Sequence, residues 1–138
     1  MNADREDMKR KNRGTVLKLI ATGRCGSRIE LSKTMGVTKT AISKMVTELM
    51  ERGFLVETRK QENAELGRNP IGLDIAETAP LVIGVLIMRG YCEAVLCNMK
   101  LEILQHKKVY QNWKDKEELM ETVYSLVDQM LYGAENVG

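Results

Sequence analysis

Between Lys39 and Arg52 the apolar residues Ile42, Met45, Val46, Leu49 and Met50 recur at three- and four-residue spacing, which predicts one amphipathic helix stopped by Gly53. Upstream, Val16, Leu17 and Ile20 give a helix over about 9–22 with those three side chains inward, weakened at Gly14. The charged residues before it are expected to fray. Gly23 and Gly26 bracket a break, and "SRIE" (Ser27 to Glu30) reads as a capping box that opens a short helix, Arg28 to Met35, ended by Gly36. The pattern then changes period. "FLVET" and "IGLDI" alternate as strands do and are joined by the polar loop "RKQENAELGRNP", so they form a hairpin. Three helices and a hairpin in this order make a winged helix-turn-helix.

After "AETAP" the chain changes character. "LVIGVLI" reads as a buried strand, followed by the strands "YCEAVLCNM" and "EILQHKKVY". "KDKEELMETVYSLVDQMLYG" is a helix with Leu119, Val123, Leu126, Val127 and Met130 on its apolar side. The expected class is therefore α+β, with a first domain over 1–77 and a β-β-β-α segment over 78–138.

Charge sharpens the division. Residues 1–70 hold 15 Lys and Arg against 9 Asp and Glu, a surplus of +6, whereas residues 71–138 hold 6 against 10, a deficit of −4. A basic first half joined to an acidic second half points to an anionic partner for the first half alone. No apolar run approaches the roughly 18 residues that a membrane helix needs, and the charged start is no secretory signal. The three cysteines, Cys25, Cys92 and Cys97, are odd in number and form no CxxC pair, which suits a reduced, cytoplasmic chain. Cys92 and Cys97 should point to opposite faces of one strand, and His106 to solvent. No metal, cofactor or catalytic residue is expected.

The first turns of the helix from Lys39 carry hydroxyls and cations where acids are ordinarily favoured. Lys39, Thr40, Ser43, Lys44 and Thr47 occupy its polar face, and no acid appears before Glu48. In a helix-turn-helix unit the second helix points such residues into the major groove of duplex DNA. Lys39 and Lys44 suit phosphates or guanine edges, and Thr40 and Ser43 suit bases or backbone. Thr38 and the unpaired N–H groups at the helix start suit a phosphate. Ser27 and Arg28, opening the preceding helix, are placed to hold the flanking backbone. In the loop, "GRNP" sets Arg68 between a flexible Gly67 and an Asn69 held extended by Pro70, the arrangement of an arginine that enters a narrow minor groove. A solvated polar face and an exposed loop arginine are the plainer readings of the same residues.

The stretches "NRGTVLKLI", "SRIELSKTMGVTKTAISKMVTELMERGFLVE", "GRNP" and "LVIGV", in this order, resemble the ROK family of bacterial transcriptional repressors and sugar kinases. The resemblance covers the whole chain but only the first third of a family repressor. It implies a dimeric repressor of sugar-uptake or sugar-use genes. It also implies that 78–138 is a truncated part of an actin-like (ribonuclease H-like) kinase domain. Where kinase members carry an Asp-Gly-Gly-Thr-type phosphate loop, this chain has Leu86 to Gly90, with Leu86 at the carboxylate position. The family's zinc cysteines, sugar-binding acids and catalytic Asp would lie beyond Gly138, so a sugar effector is not expected to bind here. The family also favours a glycine between its second and third strands, where this chain has Leu101.

Together these features predict sequence-specific binding to a double-stranded DNA operator by a homodimer held through residues after Thr78. Two other readings stay open. One is a protein-docking winged helix, marked by salt-insensitive binding and no DNA affinity. The other is the remnant of a sugar kinase, marked by phosphoryl transfer to hexoses.

Overall fold

The computed structural model describes residues 2–59 and 71–136. Its elements are α1 (Asn2–Ala21), α2 (Arg28–Met35), α3 (Lys39–Glu51), β1 (Leu55–Arg59), β2 (Ile71–Ile75), β3 (Val82–Met88), β4 (Tyr91–Cys97), β5 (Ile103–Tyr110) and α4 (Lys116–Glu135). They form an α+β chain of two compact units, Met1–Ala79 and Pro80–Gly138, divided two residues later than the sequence pattern suggested. The loop carrying Arg68 lies outside the described residues.

In the first unit, Val16, Leu19 and Ile20 of α1, Leu31 of α2, and Ile42, Val46 and Leu49 of α3 close on one core with Leu55, Leu73 and Ile75. Leu19 rather than Leu17 takes the inward position on α1, and Leu17 is half-buried. The charged start is helical from Asn2 rather than frayed, and an exposed Glu6–Lys9 pair one turn apart adds a little support there. Two glycines set the route between helices: Gly36 closes α2 at φ 64 and Gly53 ends the turn after α3 at φ 77, both in the left-handed region that suits a residue without Cβ. The two strands are antiparallel, from Leu55 opposite Ile75 to Arg59 opposite Ile71. Leu73 and Ile75 face the core, while Ile71, at the far end of the hairpin, is exposed.

In the second unit the sheet order is β3-β4-β5, all antiparallel. The alternation of β4 sends Cys92, Ala94 and Leu96 beneath α4, where they are buried with Val123, Leu126 and Met130. Burial raises the pKa of the Cys92 thiol above its ordinary value. Cys97 sits on the opposite face and is half-buried, and His106 is exposed.

β3 departs from expectation. Its apolar run is not a buried strand: Leu86 is 48% exposed and Ile87 47%. The reason is position. β3 lies at the edge of the sheet, α4 follows β4, and the cluster beneath α4 takes in only Leu81 and Ile83 from the β3 segment.

Candidate nucleic-acid interface

The segment between α2 and α3 is short and locked from both sides. Ser32 Oγ donates to the Val37 carbonyl at 2.6 Å, and the Gly36 N–H returns to the Ser32 carbonyl. Thr38 then caps α3, its hydroxyl oxygen accepting from Ala41 N–H at 3.3 Å. At the start of α2 Ser27 Oγ accepts from Glu30 N–H at 3.3 Å, and a Glu30 carboxylate oxygen reaches back one residue beyond the cap to accept from Gly26 N–H at 2.5 Å, where a capping box would take the Ser27 N–H. Leu73 N–H donates to the Gly26 carbonyl at 2.8 Å, tying the chain ahead of α2 to β2. The direction of α3 is thus fixed by backbone bonds at its own start and by the core along its inner face.

On the outer face Lys39, Thr40, Ser43, Lys44 and Thr47 are all exposed, and among the described residues no side-chain hydrogen bond or ion pair holds them. Five side chains with donors therefore share the first three turns of one helix, on a surface where the first acid is Glu48. That acid is engaged. Arg13 of α1 donates to Glu48 Oε2 from Nη2 at 2.6 Å and from Nε at 3.1 Å. The Arg13 hydrogen bond holds the Glu48 carboxyl below its ordinary value of 4.5, against partial burial, with the charges of Arg13, Lys44 and Lys9 acting the same way as the bond. A carboxylate that would repel an approaching polyanion is neutralised by its neighbour.

The remaining residues singled out from the sequence divide. Ser27 and Thr38 serve as helix caps, so their hydroxyl oxygens already have local work. Arg28 turns to the first unit's own hairpin, pairing with Glu57 of β1 at 2.8 Å and touching Met50 Sδ at 3.8 Å. Its guanidinium retains further donors beyond that pair. Arg68 is outside the described residues. The Arg13–Glu48 contact was not read from the sequence; its partners are 35 positions apart, and only the fold brings them together.

No protein-family model matches the chain. Over 128 residues it is 27% identical to a putative xylose repressor of Caldicellulosiruptor sp., covering 92% of this chain and 32% of that protein. It is 27% identical over 124 residues to the DNA-binding transcriptional repressor Mlc of Escherichia coli, covering 90% of this chain and 30% of Mlc. The Bacillus subtilis xylose repressor is 25% identical over 132 residues, with 93% and 34% covered. Among solved structures, a ROK family transcriptional regulator described as a homolog of the E. coli protein superposes with a TM-score of 0.64 at 27% identity, covering 93% of this chain and 33% of that one. The likeness to ROK family transcriptional regulators is thus shown in both sequence and structure, and the chain spans about a third of the length of the relatives it matches.

Proposed function

We propose that this chain is the DNA-reading portion of a ROK-type repressor of sugar-use genes, acting in the cytoplasm as a homodimer. The observation that carries this reading is the acid-free, exposed start of α3, with Lys39, Thr40, Ser43, Lys44 and Thr47 together and Glu48 held by Arg13. In this reading the first unit is a winged helix-turn-helix. α3 enters the major groove, Thr40 and Ser43 meet base edges, and Lys39 and Lys44 meet phosphates or guanine. Arg68 reaches the adjacent minor groove from the loop between β1 and β2. The second unit supplies pairing between copies rather than catalysis. Its strand-end segment has Leu86 where a kinase of the family would have a carboxylate, so no side chain there can hold a magnesium–phosphate complex.

The test is selection of bound sites from a random duplex pool, followed by fluorescence anisotropy on the selected sequence. Thr40→Ala should cost about 1–3 kcal/mol on that site and relax preference at one base position. Lys44→Ala should weaken all duplexes alike if the lysine meets a phosphate. Failure to enrich any sequence, or a Thr40→Ala protein with unaltered preference, would overturn the assignment of α3 as the reader.

A further inference from the structure

Three cations and two acids gather where α1 meets α3, and they are paired unequally. Lys9 binds Glu6, one turn back on α1, at 3.2 Å. Arg13 reaches across to α3 and closes on a single carboxylate oxygen of Glu48, from Nη2 at 2.6 Å and from Nε at 3.1 Å. Lys44 is exposed, and among the described residues no side-chain hydrogen bond or ion pair holds it. Yet an acid stands within its reach. Glu48 lies four positions further along the same helix, the spacing at which opposite charges pair on a helix surface. The charges of Arg13, Lys44 and Lys9 all act on the Glu48 carboxyl, so the lysine is a competing partner for it. The next acid of α3, Glu51, is about two turns from Lys44.

The donors decide the competition. Arg13 offers two N–H groups in a planar fork, whereas Lys44 offers a strongly hydrated point charge on a flexible stem. Arg13 also stands one turn before Val16, which is fully buried, so the core fixes its backbone. Its side chain and that of Glu48 are only 23% and 33% exposed, and salt screens such a pair less than one in open solvent.

We propose that Arg13 is a positioning residue for DNA binding: by holding Glu48 it keeps the Lys44 ammonium free to meet a phosphate. This rests on the reading of α3 as the DNA-facing helix and names what prepares that face. Arg13 need not touch DNA. Without it, Glu48 is an uncompensated acid one turn from Lys44, pairs with the lysine, and must be displaced before a phosphate can bind there.

Fluorescence anisotropy of the 138-residue chain on its selected duplex tests this. For each copy bound, Arg13→Gln should weaken binding at about 50 mM salt by roughly tenfold and lower the slope of log affinity against log salt by about 0.9, as the loss of one phosphate contact does. Base preference should not change, since Thr40 and Ser43 are untouched. Adding Glu48→Gln to Arg13→Gln should restore both affinity and slope. In a Lys44→Gln background, Arg13→Gln should change neither. Direct contact of Arg13 with DNA, a general loss of positive charge or a damaged fold would each cost as much with Lys44 absent as with it present. An equal loss in the two backgrounds would therefore overturn the positioning role, as would failure of Glu48→Gln to rescue. A parent that binds while Arg13→Gln leaves affinity unaltered would overturn that role alone. A parent that binds no duplex would overturn the reading of α3 and the positioning role with it.

Discussion

Leu101 is the one described non-glycine residue with positive φ, at 67°, and it occupies the position where the family resemblance calls for glycine. The turn between β4 and β5 is organised around Asn98, whose side-chain oxygen accepts from both Lys100 N–H and Glu102 N–H at 3.0 Å. Leu101 N–H also donates to the Asn98 carbonyl at 3.1 Å, so the turn holds its shape against the preference of the residue inside it. A left-handed conformation costs an L-residue about 1–2 kcal/mol, and glycine gives back roughly half of that in unfolded-state freedom. Leu101→Gly is therefore expected to stabilise the protein by roughly 0.5–1 kcal/mol. Leu101 is 61% exposed, so little packing is lost with its side chain. Chemical denaturation of the two proteins measures the difference. A destabilised glycine variant would mean that the leucine side chain contributes more than the turn conformation costs. Nothing in the residue type announces this strain, and only the contrast with the family pattern marked the position.

At the scale of elements, the sequence revealed what local chemistry decides. The caps Ser27 and Thr38 and the glycines 36 and 53 bound α2 and α3 closely, because each terminus is set by residues within a few positions of it. Burial of β3 was misread for the opposite reason. An apolar run specifies a strand but not which neighbours will cover it, and here α4 covers β4 instead. The Arg13–Glu48 contact between α1 and α3 was equally hidden, since its partners lie 35 positions apart. That pair carries a pH signature. The Arg13 hydrogen bond holds the folded-state pKa of Glu48 below 4.5. Its contribution to stability is thus fully present above about pH 4.5 and is lost as pH falls through the lower folded value. Arg13→Gln should be less stable than the parent at neutral pH, and the gap should narrow as pH falls below about 4.5. The pair is partly solvent-screened, so the effect is modest. Melting temperatures of both proteins across this range decide it, and a gap independent of pH would mean that Arg13 acts through packing of its aliphatic stem.

At the scale of the whole molecule the division of charge follows the division of structure. With the boundary after Ala79, the first unit holds 15 Lys and Arg against 11 Asp and Glu and the second 6 against 8, or +4 and −2. An excess of this size does not by itself bind DNA tightly. What multiplies it is repetition, because each copy in a dimer adds its own phosphate contacts to one complex. If each first unit neutralises about three phosphates, a dimer neutralises about six, and affinity should fall roughly a thousandfold between about 50 and 200 mM salt. A single unit should lose only about fortyfold over the same range, since the exponent is halved. A chain cut after Ala79, which keeps the compact first unit and every DNA-facing residue, offers that comparison. Its anisotropy titrations should show about half the parent's slope of log affinity against log salt, together with weaker binding at every salt concentration. Equal slopes would mean that one copy makes all the phosphate contacts, and a flat response in both proteins would mean that the basic surplus of the first unit does not meet DNA.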